Sequence, residues 1–445
     1  MASSPWVEGW RAPVRREIVS DQFSVTGSLP RELNGQLLRI GPNPVRDPGP
    51  DYHWFSGEGM VHSIRLEDGR AVEYRNRWVR TPDTCRRLGE RCGAPRLDAL
   101  DVANTNVIGF AGELYALTET CAPYRLTPGL ITLGREDFGD EAAENFTAHP
   151  HVDPVSGELH AIGYTIDDQP WLDYFVIGAD ARLHTRIEIP LGGPASAHDF
   201  GLTQTHVLFF DLPVLYDREL DERGMVIPYR WDADYRARVG VLPRSPGAAG
   251  VRWFDVPPCW VFHTMNAYDV HGPDGAVSSI VWDVVRFERM LDSDITGPNE
   301  PYPPQLYRWE LDLKSGRVAE TCIDGRVQEF PRIDERRWSQ PYRYGFTTEV
   351  LTASGGTGLL MHDNQGGSAS FELEPGLQLS EAVFAPRAPD AAEGDGWLLA
   401  LVHDDAKTSS ELIVLEAMDV ASGPIARVGL PQRVPAGFHG NWIPD

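Results

Sequence analysis

The sequence has few basic residues for its size. Its 445 residues include 40 lysines and arginines against 65 aspartates and glutamates, a formal net charge of −25. A chain that binds nucleic acid or an anionic bilayer through a basic patch has the opposite balance. The composition therefore argues against a nucleic-acid partner, and the acidic surface that it predicts favours solubility.

Long apolar runs are also lacking. No stretch of the sequence reaches the roughly 18 apolar residues that a membrane-spanning helix requires. The N-terminal sequence MASSPWVEGWRAPVRRE lacks the apolar core of a secretory signal. We therefore expect a cytoplasmic protein without a membrane span.

Cysteine is scarce, and its spacing suggests no framework. The five cysteines are Cys85, Cys92, Cys121, Cys259 and Cys322, an odd number without a CxxC pair. This pattern indicates neither a set of disulfides nor a zinc ribbon, and we expect most of these side chains to be buried apolar fillers. The sequence also contains no GxSxG, Walker, HExxH or GxGxxG motif. These absences argue against several common enzyme classes.

Turn-forming residues are abundant, with 43 glycines and 36 prolines. Helical periodicity is scarce, and strand-like runs flank short turns at Asp68-Gly69, Asp274-Gly275 and Ser315-Gly316. The pattern predicts an all-β protein, and by itself it fits a sandwich as well as a propeller. Because no linker or repeat divides the sequence, we expect residues 1–445 to form a single domain.

Four histidines, His149, His198, His263 and His439, lie in four separate stretches, each beside residues typical of turns. They are too far apart in the sequence to share a helix face or a hairpin. Four neutral imidazoles without a thiolate or carboxylate suit a metal such as Fe(II) that keeps open positions for a small ligand. The histidines are therefore candidate metal ligands that the fold must bring together.

A second interpretation concerns the first of these stretches. His151, Val152 and Asp153 spell HxD, which is the beginning of a facial triad in which two histidines and one carboxylate bind iron. The same residues also precede Gly157 and Glu158 in a pattern typical of a hairpin turn. The sequence alone leaves both interpretations open.

The local strings around the histidines resemble the carotenoid cleavage oxygenases. They are TAHPHVDP, SAHDFGLT, FHTMNAYD and GFHGNWIP, and they are joined by GPNP at residues 41–44, WFSGEGMVH at 54–62 and ANTNV from Ala103. The resemblance extends from about Gly27 to Trp442. It implies a seven-bladed β-propeller with Fe(II) on its axis, bound by the four histidines, with loops and short helices covering one face.

The resemblance also implies three glutamates that orient the imidazoles. The matching positions are Glu119 for His198, Glu329 for His263 and Glu381 for His439. A metal-binding histidine usually donates its second ring N–H to a carboxylate or carbonyl, and losing that partner costs roughly 10- to 100-fold in metal affinity or activity.

Three residues beside these motifs are predicted to line the substrate site: Thr118, Phe262 and Phe330. Aromatic walls favour a long, flat, conjugated ligand. In the stilbene-cleaving branch of the family, the position that matches Thr118 resembles a lysine that binds the phenol of the substrate. Threonine cannot supply the charge-assisted bond of an ammonium to a phenolate, so the difference favours a carotenoid or apocarotenoid. Further departures from the family pattern are Ser56, Glu58 and Ala382.

The predicted activity is cleavage of a substrate C=C bond by O2 into two carbonyl products, without an organic cofactor. The expected partners are an apolar conjugated small molecule and O2, with a weak peripheral membrane contact at which an apolar substrate is collected. The alternatives are a stilbene- or phenylpropenoid-cleaving oxygenase, an isomerohydrolase of the retinoid type, and a propeller used only for binding. Nothing in the sequence defines an oligomeric state.

Overall fold

The structure is a computed structural model, and it describes residues 4–92, 101–139, 145–245, 250–291, 302–352 and 355–445. The chain forms two compact units. Unit 1 comprises Met1–Ala148, Ser354–Met361 and Ser368–Asp445, and unit 2 comprises His149–Ala353 and His362–Gly367. The expectation of a single domain over residues 1–445 stays a prediction.

Strands are the main regular structure of the described chain. Those before residue 150 are β1 (Val19–Ser20), β2 (Ser24–Gly27), β3 (Gly35–Pro42), β4 (Gly59–Glu67), β5 (Arg70–Trp78), β6 (Asn106–Phe110), β7 (Glu113–Leu117), β8 (Tyr124–Leu126) and β9 (Thr132–Arg135). Those between residues 150 and 260 are β10 (His151–Val152), β11 (Leu159–Gly163), β12 (Trp171–Ile177), β13 (Leu183–Pro190), β14 (Gly201–Leu202), β15 (His206–Asp211), β16 (Val214–Tyr216), β17 (Tyr229–Trp231), β18 (Arg238–Pro243) and β19 (Arg252–Asp255).

The remaining strands follow from Trp260 to the C-terminus. They are β20 (Trp260–His271), β21 (Val277–Phe287), β22 (Gln305–Asp312), β23 (Val318–Asp324), β24 (Gln328–Ile333), β25 (Tyr344–Thr352), β26 (Gly355–Asp363), β27 (Ser368–Glu372), β28 (Leu377–Leu379), β29 (Val383–Pro386), β30 (Gly396–Asp404), β31 (Ser409–Glu416), β32 (Ala426–Gly429) and β33 (Gly440–Pro444). The all-β prediction is confirmed.

Helices are short. The α-helices of the described residues are α1 (Pro82–Leu88) and α2 (Arg218–Glu222), and single 3-10 turns occur at Pro5–Val7, Gly9–Arg11, Trp54–Ser56, Glu335–Arg337 and Val420–Ser422. Helix α1 begins where Thr81 accepts a hydrogen bond from the Thr84 N–H, and it ends at Gly89 with φ of 80°. Among the described residues, neither helix has the length and apolar character needed to cross a membrane.

The sheets of unit 1 are antiparallel. Strand order is β1-β5-β4-β3-β33 in one sheet and β6-β7-β8-β9 in another, while β2-β32-β31-β30-β28-β26 follow one another in a third, with β27 beside β26 and β29 beside β30. Strand β33 therefore returns the C-terminus to β3, near the beginning of the chain. Apolar side chains of these sheets form buried clusters around Leu37, Ile64, Leu399 and Val414, and around Ile40 and Val107.

The sheets of unit 2 follow the chain order more simply. Strands β10 to β13 and β20 to β23 form two four-stranded antiparallel sheets, a third has the order β14-β15-β18-β19, and β16 pairs with β17 and β24 with β25. One apolar core joins them and includes Phe210, which stacks on Trp282 at 4.3 Å between ring centroids. Phe209, Leu212 and Val214 are buried in the same core, and Leu215 packs against it.

Three hairpin turns that the sequence predicts are confirmed. Asp68-Gly69 joins β4 to β5, with φ of 46° and 74° in the left-handed region that such a two-residue turn requires. Asp274-Gly275 lies between β20 and β21, and Ser315-Gly316 lies between β22 and β23, each with a glycine at positive φ.

The interpretation that the cysteines form no disulfide is wrong for one pair. Cys85 in α1 is bonded to Cys92, with 5.9 Å between their Cα atoms. The turn at Gly89, where the Glu90 N–H bonds to the Cys85 carbonyl, brings the chain back along the helix. A spacing of seven residues matches no familiar motif, so only the local fold reveals the pair. Of the remaining cysteines, Cys121 and Cys259 are buried, as expected for fillers, and Cys322 is exposed.

A histidine and a tyrosine recur at equivalent places in the two units. In unit 1, His62 Nδ1 on β4 bonds to the Tyr74 hydroxyl on β5 at 2.8 Å. In unit 2, His160 Nδ1 on β11 bonds to the Tyr174 hydroxyl on β12 at 2.6 Å. In both cases the tyrosine stands opposite the residue two places after the histidine. This structural repeat is hidden in the sequence because it rests on two residues per unit.

Burial of these two histidines makes stability depend on pH. Burial, reinforced by Arg433 and Arg39, lowers the pKa of His62 from 6.5 to about 3. Burial, reinforced by Arg244, lowers the pKa of His160 from 6.5 to about 3. Between these values the unfolded chain binds more protons than the folded chain, so acid favours unfolding. This contribution to stability is fully present above pH 6.5 and is lost as the pH falls toward 3.

We expect His62→Asn and His160→Asn each to reduce the slope of unfolding free energy against pH, by up to about 1.4 kcal/mol per pH unit between pH 4 and 6. Urea unfolding at a series of pH values measures this slope. Tyr74→Phe is the control, because it removes the hydrogen bond and keeps the imidazole, so stability falls at every pH without a change of slope. Equal slopes in His62→Asn and the wild type would contradict the assignment.

Candidate metal centre

Three of the four predicted histidines come together in unit 2. His149 lies two residues before β10, His198 lies three residues before β14, and His263 lies on β20. Their ring centroids are 4.5 Å apart for His149 and His198, 4.9 Å for His149 and His263, and 5.2 Å for His198 and His263. The ligand nitrogens that His149 and His263 offer lie within 4.8 Å of one another. The fold thus gathers imidazoles from three distant stretches.

The orientation of His263 is set by Glu329. The His263 Nδ1 lies 2.6 Å from Glu329 Oε2, and both side chains are largely buried. A carboxylate accepts hydrogen bonds, so Nδ1 carries the proton and Nε2 carries the lone pair that a metal needs. Register shifts in β20 around His263 and in β24 after Glu329 aim these two side chains at each other.

His439 is held in the same way in unit 1. Its Nδ1 lies 3.0 Å from Glu381 Oε1, while Glu381 Oε2 accepts a hydrogen bond from the Gly440 N–H at 2.9 Å. The Arg39 guanidinium lies 3.3 Å from the same oxygen, and both charged side chains are buried. Donors therefore surround this carboxylate, and His439 again presents Nε2 as the ligand atom.

Glycines allow the His439 segment to pack on β3. A Cβ on Gly41 would lie 2.4 Å from the Gly437 Cα, and one on Gly437 would lie 2.5 Å from the Ile40 carbonyl oxygen. At this contact the Phe438 N–H bonds to the Ile40 carbonyl, and the Ile40 N–H bonds to the His439 carbonyl. The GPNP and GFHG strings are therefore two sides of one close backbone contact.

Two further strings of the resemblance, WFSGEGMVH and ANTNV, also contact each other in unit 1. The Gly59 N–H bonds to the Val102 carbonyl at 2.8 Å, and a Cβ on Gly59 would lie 1.9 Å from the Ala103 carbonyl oxygen. Asn104 donates to the carbonyl groups of Phe55 and Gly57, each at 2.8 Å. The WFSGEGMVH and ANTNV strings are therefore joined by hydrogen bonds. Beside them, the ring centroid of Phe55 lies 5.3 Å from that of Phe438.

Two predicted lining residues lie against imidazoles. The edge of His198 meets Phe262 at 5.1 Å between centroids, and Phe330 stacks on His263 at 5.7 Å. Phe330 has φ of 55°, an unusual conformation for an aromatic residue, and its N–H bonds to Glu329. Both rings are half-buried. They form apolar walls beside the imidazoles.

Thr118 and Glu119 lie directly after β7 in unit 1. Thr118 is buried, and its hydroxyl lies 3.3 Å from the Thr105 hydroxyl. Glu119 is half-buried and occupies the turn before Thr120. The pairing of Glu119 with His198 stays a prediction.

The facial-triad interpretation of HxD is wrong. His151 Nε2 lies 3.0 Å from Asp199 Oδ1 and 3.2 Å from the Phe200 carbonyl oxygen, so this nitrogen donates. Asp153 instead pairs with Arg244 at 2.8 Å and closes the hairpin turn through the Gly157 N–H, which bonds to its carbonyl. The hairpin interpretation of these residues is confirmed.

The donor set fits a transition metal. Neutral imidazole nitrogens suit iron, zinc, copper or nickel, and the carboxylate behind His263 both fixes the tautomer and strengthens the ligand. Among the described residues of unit 2, the imidazole cluster includes no carboxylate, so a bound divalent metal would keep its positive charge. That charge suits a site for a small ligand such as O2.

Two residues near the histidines are missing from the sequence-based prediction. Arg39 faces Glu381 from a strand far away in the sequence, and no local pattern indicates it. Asp199 directly follows His198 and bonds to the Thr264 N–H at 2.7 Å. Its position in the HDF string is a weak signal, because an aspartate next to a histidine is more often exposed than buried.

Comparisons with known proteins agree with this architecture. The family model described as retinal pigment epithelial membrane protein matches residues 11–444. The chain is 39% identical to a carotenoid cleavage oxygenase of Mycobacterium tuberculosis, over 100% of this chain and 98% of the relative. It is 31% identical to an isoeugenol monooxygenase of Pseudomonas nitroreducens, over 99% and 98% of the two chains. The crystal structure of a lignostilbene dioxygenase of Pseudomonas brassicacearum matches with a TM-score of 0.90 and 30% identity over 100% of both chains.

These similarities define the class of the protein as an oxygenase, which confirms the predicted enzyme class. The chain belongs to the retinal pigment epithelial membrane protein family, whose match extends over nearly its whole length. The family resemblance stated on the histidine strings is therefore confirmed.

The buried Arg39–Glu381 pair gives a test of how His439 is held. We expect Glu381→Gln to lower the free energy of unfolding by about 3–5 kcal/mol, because it removes the carboxylate charge that faces a buried guanidinium. Glu411→Gln is the matched control, since Glu411 and Arg427 form a half-exposed pair whose loss costs about 1 kcal/mol or less. Urea unfolding of both variants measures the difference, and equal losses would contradict it.

Proposed function

We propose that this protein cleaves a C=C bond of a carotenoid or apocarotenoid with O2 and releases two carbonyl products. The observation that carries the proposal is the cluster of imidazoles in unit 2, with His263 oriented by Glu329 and apolar rings on either side. The name of the 39% identical relative supports the carotenoid class of substrate. In the balanced reaction, each carbon of the broken double bond receives one oxygen atom of O2.

The proposed ligands of a single Fe(II) are His149, His198, His263 and His439. Support comes from the shared orientation of His263 and His439, each of which turns Nδ1 to a glutamate and keeps Nε2 for a metal. Glu119 is proposed to serve His198 in the same way. Iron bound by these imidazoles would supply the open position at which O2 is activated.

The role of the protein is then to hold the alkene beside the metal without a bond to it. Phe262 and Phe330 offer flat apolar faces next to His198 and His263. Such faces stack on a conjugated chain and exclude water from the reacting carbons. No acid or base is required by the overall reaction.

The fold that we propose is a seven-bladed propeller with iron on its axis and loops and short helices over one face. It is supported by the antiparallel four-stranded sheets and by the similarity to the lignostilbene dioxygenase structure. Cytoplasmic location and a weak peripheral membrane contact belong to the same proposal. An apolar substrate leaves a bilayer or carrier more easily when the enzyme can touch its surface.

A polyene is favoured over a phenol by the distribution of positive charge. The sequence contains two lysines, Lys314 and Lys407. Both are exposed and lie in hairpin turns, between β22 and β23 and between β30 and β31, and Lys407 pairs with Asp404. Neither takes the place of the lysine that the stilbene-cleaving branch has at Thr118. A phenolate would therefore lack a charge-assisted partner from lysine.

The alternative is a stilbene- or phenylpropenoid-cleaving oxygenase. It is favoured by the overall similarity to the lignostilbene dioxygenase structure and to the isoeugenol monooxygenase. The two candidates share the histidines and differ in what lines the substrate site. A direct comparison of substrates separates them.

The test offers β-carotene, an apocarotenal and resveratrol to the Fe(II)-loaded protein under air and under argon, with products followed by mass spectrometry. We expect aldehydes from a polyene only under air, and one labelled oxygen in each product under ¹⁸O2 after correction for exchange with water. Cleavage of resveratrol alone would establish the alternative. Polyene products without label would refute oxygenative cleavage.

A second test addresses metal binding directly. We expect Glu329→Gln to weaken Fe(II) or Co(II) binding about 10- to 100-fold, because the neutral amide no longer fixes the tautomer of His263 or raises its basicity. Calorimetric titration of the metal-free protein measures the dissociation constant. Glu320→Gln is the control, since Glu320 bonds to the indole of Trp309 away from the imidazoles. An unchanged dissociation constant in Glu329→Gln would contradict the role of Glu329.

A further inference from the structure

One buried carboxylate in unit 2 connects the chain segments that carry all three imidazoles. Asp199 is 2% exposed. Its Oδ1 lies 3.0 Å from His151 Nε2 and accepts the Phe200 N–H at 2.8 Å, while its Oδ2 accepts the Thr264 N–H at 2.7 Å. Each of these contacts is short enough for a hydrogen bond to an ionised acceptor.

The three contacts reach three different stretches of the sequence. Asp199 itself follows His198, and Thr264 follows His263. His151 lies two residues after His149, at the beginning of β10. A single side chain therefore bonds to the backbone beside His198 and beside His263 and to the side chain of His151 near His149, although these stretches lie far apart in the sequence.

His151 links Asp199 to the segment that carries His149. Its Nε2 faces only acceptors, Asp199 Oδ1 and the Phe200 carbonyl, so that nitrogen carries the proton. Its ring centroid lies 4.2 Å from that of Trp338 and 4.6 Å from that of Phe200, and both contacts are tilted. Packing against these two rings restricts the movement of His151, which belongs to the same short segment as His149.

The Thr264 contact is supported from its other side as well. The hydroxyl of Thr264 accepts a hydrogen bond from the indole of Trp282, which is fully buried. Thr264 is therefore fixed through both its backbone and its side chain. The register shift of β20 between Val261 and Thr264 includes His263 and would leave this backbone N–H without a strand partner. Asp199 supplies that partner.

We propose that Asp199 is a positioning residue that sets the mutual spacing of His149, His198 and His263. It touches no metal and takes no part in the chemistry. Metal sites require their ligands to be held within about 0.5 Å, and a buried charge with three donors meets this requirement better than an exposed loop does. The inference rests on the proposed metal site and adds a residue to it that the histidine strings do not assign.

The experiment titrates metal-free protein with Co(II), by calorimetry and by the visible absorption of the bound ion, for the wild type and for Asp199→Asn. The amide keeps the size of the side chain but places an N–H₂ group against either the Thr264 N–H or the His151 N–H. We expect the dissociation constant for Co(II) to rise at least 10-fold, with weaker or altered absorption. Melting temperatures are measured on the same samples.

Asp269→Asn is the matched control. Asp269 is also buried on β20 and accepts hydrogen bonds from the Thr203 hydroxyl and the Thr205 N–H, at 2.7 and 3.0 Å. It lies six residues beyond His263, about 20 Å along an extended strand. We expect this variant to lose stability and to keep the wild-type dissociation constant. A merely structural role of Asp199 would give the same result in both variants.

The possible outcomes test the positioning role of Asp199 and the metal site separately. If the wild type binds Co(II) and Asp199→Asn binds it equally well, the positioning role is overturned and the metal site stands. If the wild type itself binds no Co(II) or Fe(II), the proposed function fails first. Should Asp199→Asn not fold, His151→Phe keeps an aromatic ring at this position and loses the Nε2–H donor, and we expect a smaller rise in the dissociation constant. An unchanged constant in His151→Phe would then overturn the proposal.

Discussion

A neutral imidazole binds a metal only through the nitrogen that carries its lone pair, and the rest of this structure depends on fixing that nitrogen. The protein does so with buried carboxylates on the opposite side of the ring. Glu329 orients His263 in unit 2, and Glu381 orients His439 in unit 1. Both glutamates are themselves held by backbone N–H groups, of Phe330 and of Gly440. The backbone N–H groups thus fix each carboxylate, and each carboxylate in turn fixes the orientation of its imidazole ring.

Holding charge inside a mostly apolar fold constrains the surrounding backbone. Glu381 requires the buried guanidinium of Arg39, and the segment bearing His439 approaches β3 so closely that Gly41 and Gly437 cannot carry side chains. In unit 2, Asp199 is likewise a buried carboxylate, and three donors converge on it. The strained φ of Phe330 lies in the same surroundings. At Phe330 the placement of the ring beside His263 outweighs the local preference of the backbone.

Much of the outline could be predicted from particular residues. Asp-Gly and Ser-Gly pairs marked the hairpins because they favour positive φ, and the short strings around the histidines carried the family. The facial triad was wrong because His151 and Asp153 bond to Asp199 and Arg244, partners that lie far away in the sequence. The Cys85–Cys92 disulfide and the recurrent His–Tyr pairs of His62 and His160 were missed for the same reason, since neither forms a recognisable local pattern.

The all-β class, the family and four candidate metal-binding histidines could be predicted from the sequence alone. Each of these is encoded within a few adjacent residues, because turn chemistry and strand alternation act over short distances. The packed fold was needed to show which ring nitrogen of His263 and of His439 faces a carboxylate, and which buried charges hold that carboxylate. Those properties arise where Glu329 meets His263, Arg39 meets Glu381 and Asp199 meets Thr264. Contacts between residues distant in sequence depend on the packed fold, where burial strengthens a hydrogen bond and makes its absence costly.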